Sequence, residues 1–272
     1  MSWQAVLRND LRATVRSKSV WALAAVFLLA IGGLAYAIAE LAEPNFDAFL
    51  EVSSIIVALL LPLVGIVVGY EAIIPERESG SIVLALSLPN SRPELVAGKL
   101  LGRASVLVGP FLVGAIGGIT VLVWRYSGFD FVQYVLFVLL ALVYALVFLA
   151  VATALSMALS SSRRVIGGAF GAYVALVMFW NQLVDVVVVL LFRFQPTALA
   201  DLPLWAESVK FLTPRTSFVY LVAETLEIGA GVTAIDVGSQ WFASPAVAML
   251  ALLAWVVVPL GLGLHRFGSA EF

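Results

Sequence analysis

Gly98-Lys99 is the first dipeptide to weigh for chemistry, because a lysine following a glycine is what a phosphate-cradling loop uses. That loop needs G-x-x-x-x-G-K-[ST] after a strand, so that backbone N–H groups and the lysine can surround the phosphates. Here Pro93 stands where the first glycine belongs and Leu100 where the hydroxyl belongs. The dipeptide is a chance match. Intramembrane catalysis would need convergent groups such as paired aspartates, a Ser/His pair or a metal cluster. Asp185 is the one acid well inside an apolar run, and His265, the only histidine, lies at the far end of the chain. With no Cys and four Met there is no disulfide and no soft-ligand cluster for zinc or copper. No catalytic constellation can be assembled, and the expectation is that this chain is not an enzyme.

The elements that carry these residues are set by composition. Hydrophobic residues make up 62% of the chain and charged residues 12%, against about half and a quarter in a soluble domain. Six runs approach or exceed the roughly 18–20 residues that cross a bilayer as helix: Val20–Ala39, Val52–Tyr70, Ala104–Trp124, Phe131–Leu159, Val165–Phe192 and Pro245–Leu264. The runs are continuous rather than alternating, which selects helices over a β-barrel. The expected fold is an all-α polytopic membrane protein with a single six-span domain over residues 20–272. A formal charge of −2 argues against nucleic acid as a partner.

Charge bookkeeping orients the spans. Of the 15 Lys and Arg, eleven fall on one side: Arg8, Arg12, Arg16, Lys18, Arg77, Arg92, Lys99, Arg103, Arg163, Arg164 and Arg266. The other side holds Arg125, Arg193, Lys210 and Arg215. The first side is therefore read as the cytoplasm, with both termini on it. Residues 1–19 repeat Trp3, Leu7, Leu11 and Val15 beside arginines, the pattern of an amphipathic helix lying among lipid headgroups. Ala35-Tyr36-Ala37 resembles a signal-peptide cleavage site, but the long apolar run and extended basic region favour a retained span. The outer loop 193–244 exceeds a connector's length; Leu204-Trp205, Val209 and Phe211-Leu212 suggest one short helix, and Pro214 with Ser217 to Leu226 a second. Together they form an outer cap or dip back into the membrane.

Between spans two and three, Glu76 to Arg103 reads ERESGSIVLALSLPNSRPELVAGKLLGR, a polar island punctuated by Gly and Pro. Glu76, Glu78 and Gly80 should end the extension of span two. Ser81 can cap a short helix from about Ile82 to Leu88, Pro89-Asn90 is a turn, and Pro93 and Glu94 suit a helix N-terminus. The result is a helix–turn–helix elbow on the cytoplasmic side, placed where a soluble partner would grip the protein.

The spacing Glu78-x-Gly80-Ser81-Ile82, then Leu86-Ser87-x-Pro89-x-Ser91-Arg92, then Gly98-Lys99-x-x-Gly102 resembles the cytoplasmic loop of ABC-2-type transporter permeases, in their NosY-like branch. Ala85 and Asn90 depart from that family's pattern, which more often has apolar Leu and Val or Ile there. The resemblance implies a homodimeric permease subunit of an exporter, with an extracytoplasmic accessory protein among its partners. It implies that Glu76, Arg77, Glu78, Gly80, Arg92 and Lys99 form a coupling region docked on a separate ATPase subunit, which would bind ATP and Mg while this chain binds no cofactor. Copper handling, suggested by the NosY-like branch, gains no support from a chain without Cys and without a His or Met cluster.

Inside the membrane, Asn181, Gln182 and Asp185 share a face of span five, consistent with a polar exit route or with interhelical hydrogen bonding. Pro62 should free a carbonyl of span two for a neighbour to satisfy. Small-xxx-small pairs at Gly65/Gly69, Gly114/Gly118 and Gly167/Gly171 let backbones approach closely. The resemblance implies a dimer interface on spans two and five, hence on Gly65, Gly69, Gly167 and Gly171. A secondary carrier or channel is the alternative function. It would show internal repeats and midplane charges, and neither is evident.

Overall fold

The computed structural model describes residues 18–80, 92–228 and 241–268. Helices account for the secondary structure of these residues, which contain no strand. We label them α1 (Lys18–Leu41), α2 (Phe46–Gly69), α3 (Ile74–Glu78), α4 (Arg92–Arg125), α5 (Phe131–Ala158), α6 (Ser162–Leu191), α7 (Leu204–Phe211), α8 (Pro214–Leu226) and α9 (Pro245–Gly268). Six of them, α1, α2, α4, α5, α6 and α9, are long and apolar enough to cross a membrane. Of the interfacial helix expected over residues 1–19, residues 1–17 lie outside the described residues, as do the expected Ile82–Leu88 helix and Pro89-Asn90 turn, while Lys18 and Ser19 belong to α1.

Caps explain where helices begin. The Asn45 side chain accepts from Ala48 N, so α2 starts at Phe46, ahead of the expected span start at Val52. Asp130 accepts from Val132 N and Gln133 N and starts α5. On the elbow side α4 runs unbroken from Arg92, making the elbow's second helix and span three a single rod.

The bundle is organised around α5, which is apolar on every side and packs against α2, α4, α6, α8 and α9. Glycines set the closest approaches. A Cβ on Gly65 would lie 2.9 Å from the Ala145 carbonyl of α5, and one on Gly69 would lie 2.8 Å from the Leu149 carbonyl. Gly114 and Gly118 give the same closeness to Phe27 and Ile31 of α1. Those two pairs are spent within the chain. A Cβ on Gly167 or Gly171 meets nothing within 4 Å, so that pair lies on an open face of α6 beside exposed Ile166 and Phe170.

Pro62 has no N–H to offer the Ala58 carbonyl one turn earlier. The hydroxyl of Tyr144 on α5 donates to that carbonyl instead, at 2.9 Å, and Tyr173 of α6 donates to Leu59 O at 3.2 Å. The carbonyl freed by proline is satisfied by a neighbouring helix, as the sequence required.

The long loop after α6 folds back into the bundle. Thr213 caps α8 through its side chain, and α7 and α8 form a hairpin with Leu212-Thr213 at its tip. Trp255, about 15 Å along α9, donates its indole N–H to Leu212 O at 2.9 Å. Phe218 stacks on Tyr144, about 20 Å along α5, with ring centroids 4.4 Å apart. At the hairpin's other end, Gln133 near the start of α5 donates to Leu226 O. The tip therefore lies beside the middle of the long helices. Both sequence-expected helices are present.

Candidate functional site

At the elbow end, three consecutive residues of α3 reach three different helices. Lys99 of α4 donates to Glu76 Oε1 at 2.5 Å. The Arg77 guanidinium donates to Leu159 O at 2.8 Å and to Met157 O at 2.9 Å, the open carbonyls at the C-terminus of α5. Glu78 accepts from the backbone N–H and the hydroxyl of Ser162, both at 2.7 Å, at the N-terminus of α6. Arg77 and Glu78 each suit the helix end they meet: the cation lies at the negative C-terminus of α5 and the anion at the positive N-terminus of α6.

The turn carrying α3 is anchored from below. Ser156 of α5 accepts from the N–H groups of Ile73 and Ile74 at 3.1 and 3.0 Å, satisfying two donors that the break in α2 leaves open. Arg103 of α4 donates to Glu71 O at 2.9 Å. A small apolar core of Ala72, Ile73, Val96, Ala154, Met157 and Phe267 fills the space beneath, joining α4, α5 and α9 to the turn. The Arg77 guanidinium lies 5.6 Å from the centre of the Phe267 ring. Gly80 follows at φ +72°, a left-handed conformation that lets the chain leave α3 sharply. Of the residues singled out from sequence, Glu76, Arg77, Glu78 and Lys99 converge here, and Gly80 stands at the exit. The Arg92 side chain lies outside the described residues.

A second polar locus surrounds the tip of the α7–α8 hairpin. Asp185 of α6 pairs with Lys210 of α7 at 2.5 Å. Trp180 donates its indole N–H to Val209 O at 3.1 Å. Asn181 and Gln182 line a separate cavity of about 40 Å³ with Trp180, Thr213, Arg215, Thr216 and residues 176–178. The three polar residues read from the sequence thus divide, with Asp185 held in an ion pair and the two amides facing a cavity. Lys210, Thr213, Arg215 and Thr216 were not singled out as site residues. Their signal was present in the two cations beside the Pro214 helix start, but counting charges by loop does not show that the loop folds inward. Among the described residues no group of three or more His, Cys, Asp or Glu side chains could hold a metal.

Comparison with known proteins supplies the family. Residues 4–272 match the ABC-2 family of transporter proteins. The chain is 26% identical over 265 residues to a probable ABC transporter permease protein NosY of Stutzerimonas stutzeri, covering 94% of each chain. It is 27% identical over 113 residues to a probable ABC transporter permease protein NosY of Pseudomonas aeruginosa, covering 40% of this chain and 41% of that one. The chain belongs to the ABC-2 family of transporter proteins.

Proposed function

We propose that this chain is the membrane-spanning permease subunit of an ABC exporter, driven through its elbow by a separate ATPase subunit. The observation that carries the reading is the linkage of Glu76, Arg77 and Glu78 to α4, α5 and α6 respectively. A push on α3 would be delivered to the ends of three spans at once. The positive-inside distribution supports an elbow that faces the cytoplasm, where nucleotide is available. ATP and Mg belong to the partner subunit in this reading, since Gly98-Lys99 lacks the rest of a phosphate loop.

The bare face of α6 with Gly167 and Gly171 supports pairing with a second copy. Two permeases and two ATPase subunits would then alternate access as ATP binding draws the elbows together. Asn181, Gln182 and the Asp185–Lys210 pair would line the route at mid-membrane. Co-expression of the tagged chain with any nucleotide-binding subunit encoded beside it tests the assignment. The expected result is co-purification and a hydrolysis rate that depends on the permease; a correctly inserted chain that never retains or stimulates such a subunit overturns it.

A further inference from the structure

The cavity at the hairpin tip has an electrostatic imbalance. Its polar side chains are Asn181 and Gln182 from α6, and Thr213, Arg215 and Thr216 from the start of α8. Arg215 occupies the first turn of α8, where no acidic residue is present, so its charge adds to the positive end of the helix dipole instead of opposing it. Among the described residues no carboxylate lies within ion-pair distance of Arg215. Its Nε is buried and has no hydrogen-bond partner. Lys210, at the end of α7, is already matched by Asp185. A guanidinium at the middle of a bundle of spans is costly unless something of opposite charge meets it.

The wall opposite is also unusual. Residues Val174–Phe179 form a π-helical turn immediately before Trp180, Asn181 and Gln182, and this widened turn contributes Leu176, Val177 and Met178 to the cavity. Gln182 and Met178 are exposed, so the cavity opens along the bare face of α6. At about 40 Å³ it holds roughly three water-sized atoms, the size of a carboxylate.

We propose that this cavity is an anion subsite, in which Arg215, at the positive end of the α8 dipole, binds the carboxylate or similar oxyanion group of the transported molecule while Asn181 and Gln182 donate amide N–H groups from the other side. The subsite gives the polar route a charge preference and so rests on the reading of that route as the path. It favours cargo bearing one acidic group over neutral or cationic cargo. Its binding is a property of the permease alone and needs no ATPase subunit.

Acetate binding to the purified full chain in detergent tests it, at constant ionic strength with chloride as the reference anion. Acetate is expected to raise the thermal unfolding midpoint saturably, because a ligand that binds only the folded state stabilises it. Arg215→Gln should weaken acetate binding by at least about tenfold, the loss of one charge-assisted hydrogen bond. Asn181→Leu, which leaves the cation in place, should weaken it less and serves if Arg215→Gln does not fold. Equal effects of acetate and chloride, or unchanged acetate affinity in both variants, would overturn the proposal. Loss of ATPase association in any experiment would count against the permease–ATPase reading and leave this result standing.

Discussion

Arg77 and Glu78 are neighbours in the chain and hold opposite kinds of helix end: Arg77 donates to carbonyls at the C-terminus of α5, and Glu78 accepts from Ser162 at the N-terminus of α6. The short connection between those two spans is thus gripped on both sides by one turn of α3. The arrangement makes α3 a bracket between helices that are otherwise joined only by their loop and their packed faces.

Arg77→Met is expected to destabilise the chain by about 2 kcal/mol, the contribution of charge-assisted bonds to a partly buried helix C-terminus. Arg77→Lys should recover less than half of that, because a single ammonium cannot reproduce a fork spanning Met157 O and Leu159 O. Thermal unfolding of the detergent-solubilised protein checks both. Equal stability of all three proteins would show that the fork carries no load.

Glu78→Ala should leave the chain folded and inserted, since the side chain is exposed, yet loosen α6 from the elbow. The expected consequence is a fall of about five- to tenfold in permease-dependent ATP hydrolysis, the scale of an ordinary coupling free energy between sites. Glu78→Asp should restore part of it if the shorter acid still reaches Ser162. Hydrolysis assays in proteoliposomes decide the matter.

Tyr144→Phe should cost about 1–2 kcal/mol by leaving Ala58 O without its donor in an apolar setting. In a Pro62→Ala background the alanine N–H can reach Ala58 O itself, so the same tyrosine change should cost less. A double-mutant cycle on unfolding midpoints should return a coupling of about 1 kcal/mol. Additive effects would break the link between the proline and the tyrosine.

The glycine pairs should separate by role. Gly69→Ala places a Cβ 2.8 Å from Leu149 O and should destabilise the single chain by about 1–3 kcal/mol. Gly171→Ala meets nothing and should stabilise it slightly through helix propensity, by up to about 1 kcal/mol. Gly171→Phe should fold normally and reduce the dimeric fraction in sedimentation if copies pair across α6. Unaltered self-association of that variant would move the interface elsewhere.

The six spans could be read from the sequence because long apolar runs carry one physical demand, that of satisfying the backbone in hydrocarbon. The same demand made the freed carbonyl near Pro62 foreseeable, but not Tyr144, which arrives from another helix. Charge and Gly/Pro spacing mark the Glu76–Arg103 island, and the family resemblance singles out Glu76, Arg77, Glu78 and Lys99 within it. Their partners are not marked, since Ser156, Met157 and Leu159 look like the unremarkable end of an apolar run. Small-xxx-small spacing announces close approach without saying to what, and only the fold separates Gly65 and Gly69, packed on α5, from the open Gly167 and Gly171. Lys210 and Arg215 were assigned to a loop by chain position, whereas the loop returns to the middle of the bundle.

The most direct test of the ATPase-driven elbow uses the chain's natural lack of cysteine. A single Ser79→Cys at the exposed end of α3, and separately a single Trp241→Cys at the opposite end of the bundle, can each carry a thiol-reactive cross-linker in membranes containing the ATPase subunit. The account expects Ser79→Cys to cross-link to the ATPase subunit, with a yield that changes on ATP binding, and Trp241→Cys to remain unlinked. Cross-linking from Trp241→Cys, or none from Ser79→Cys in a complex that hydrolyses ATP, would contradict it.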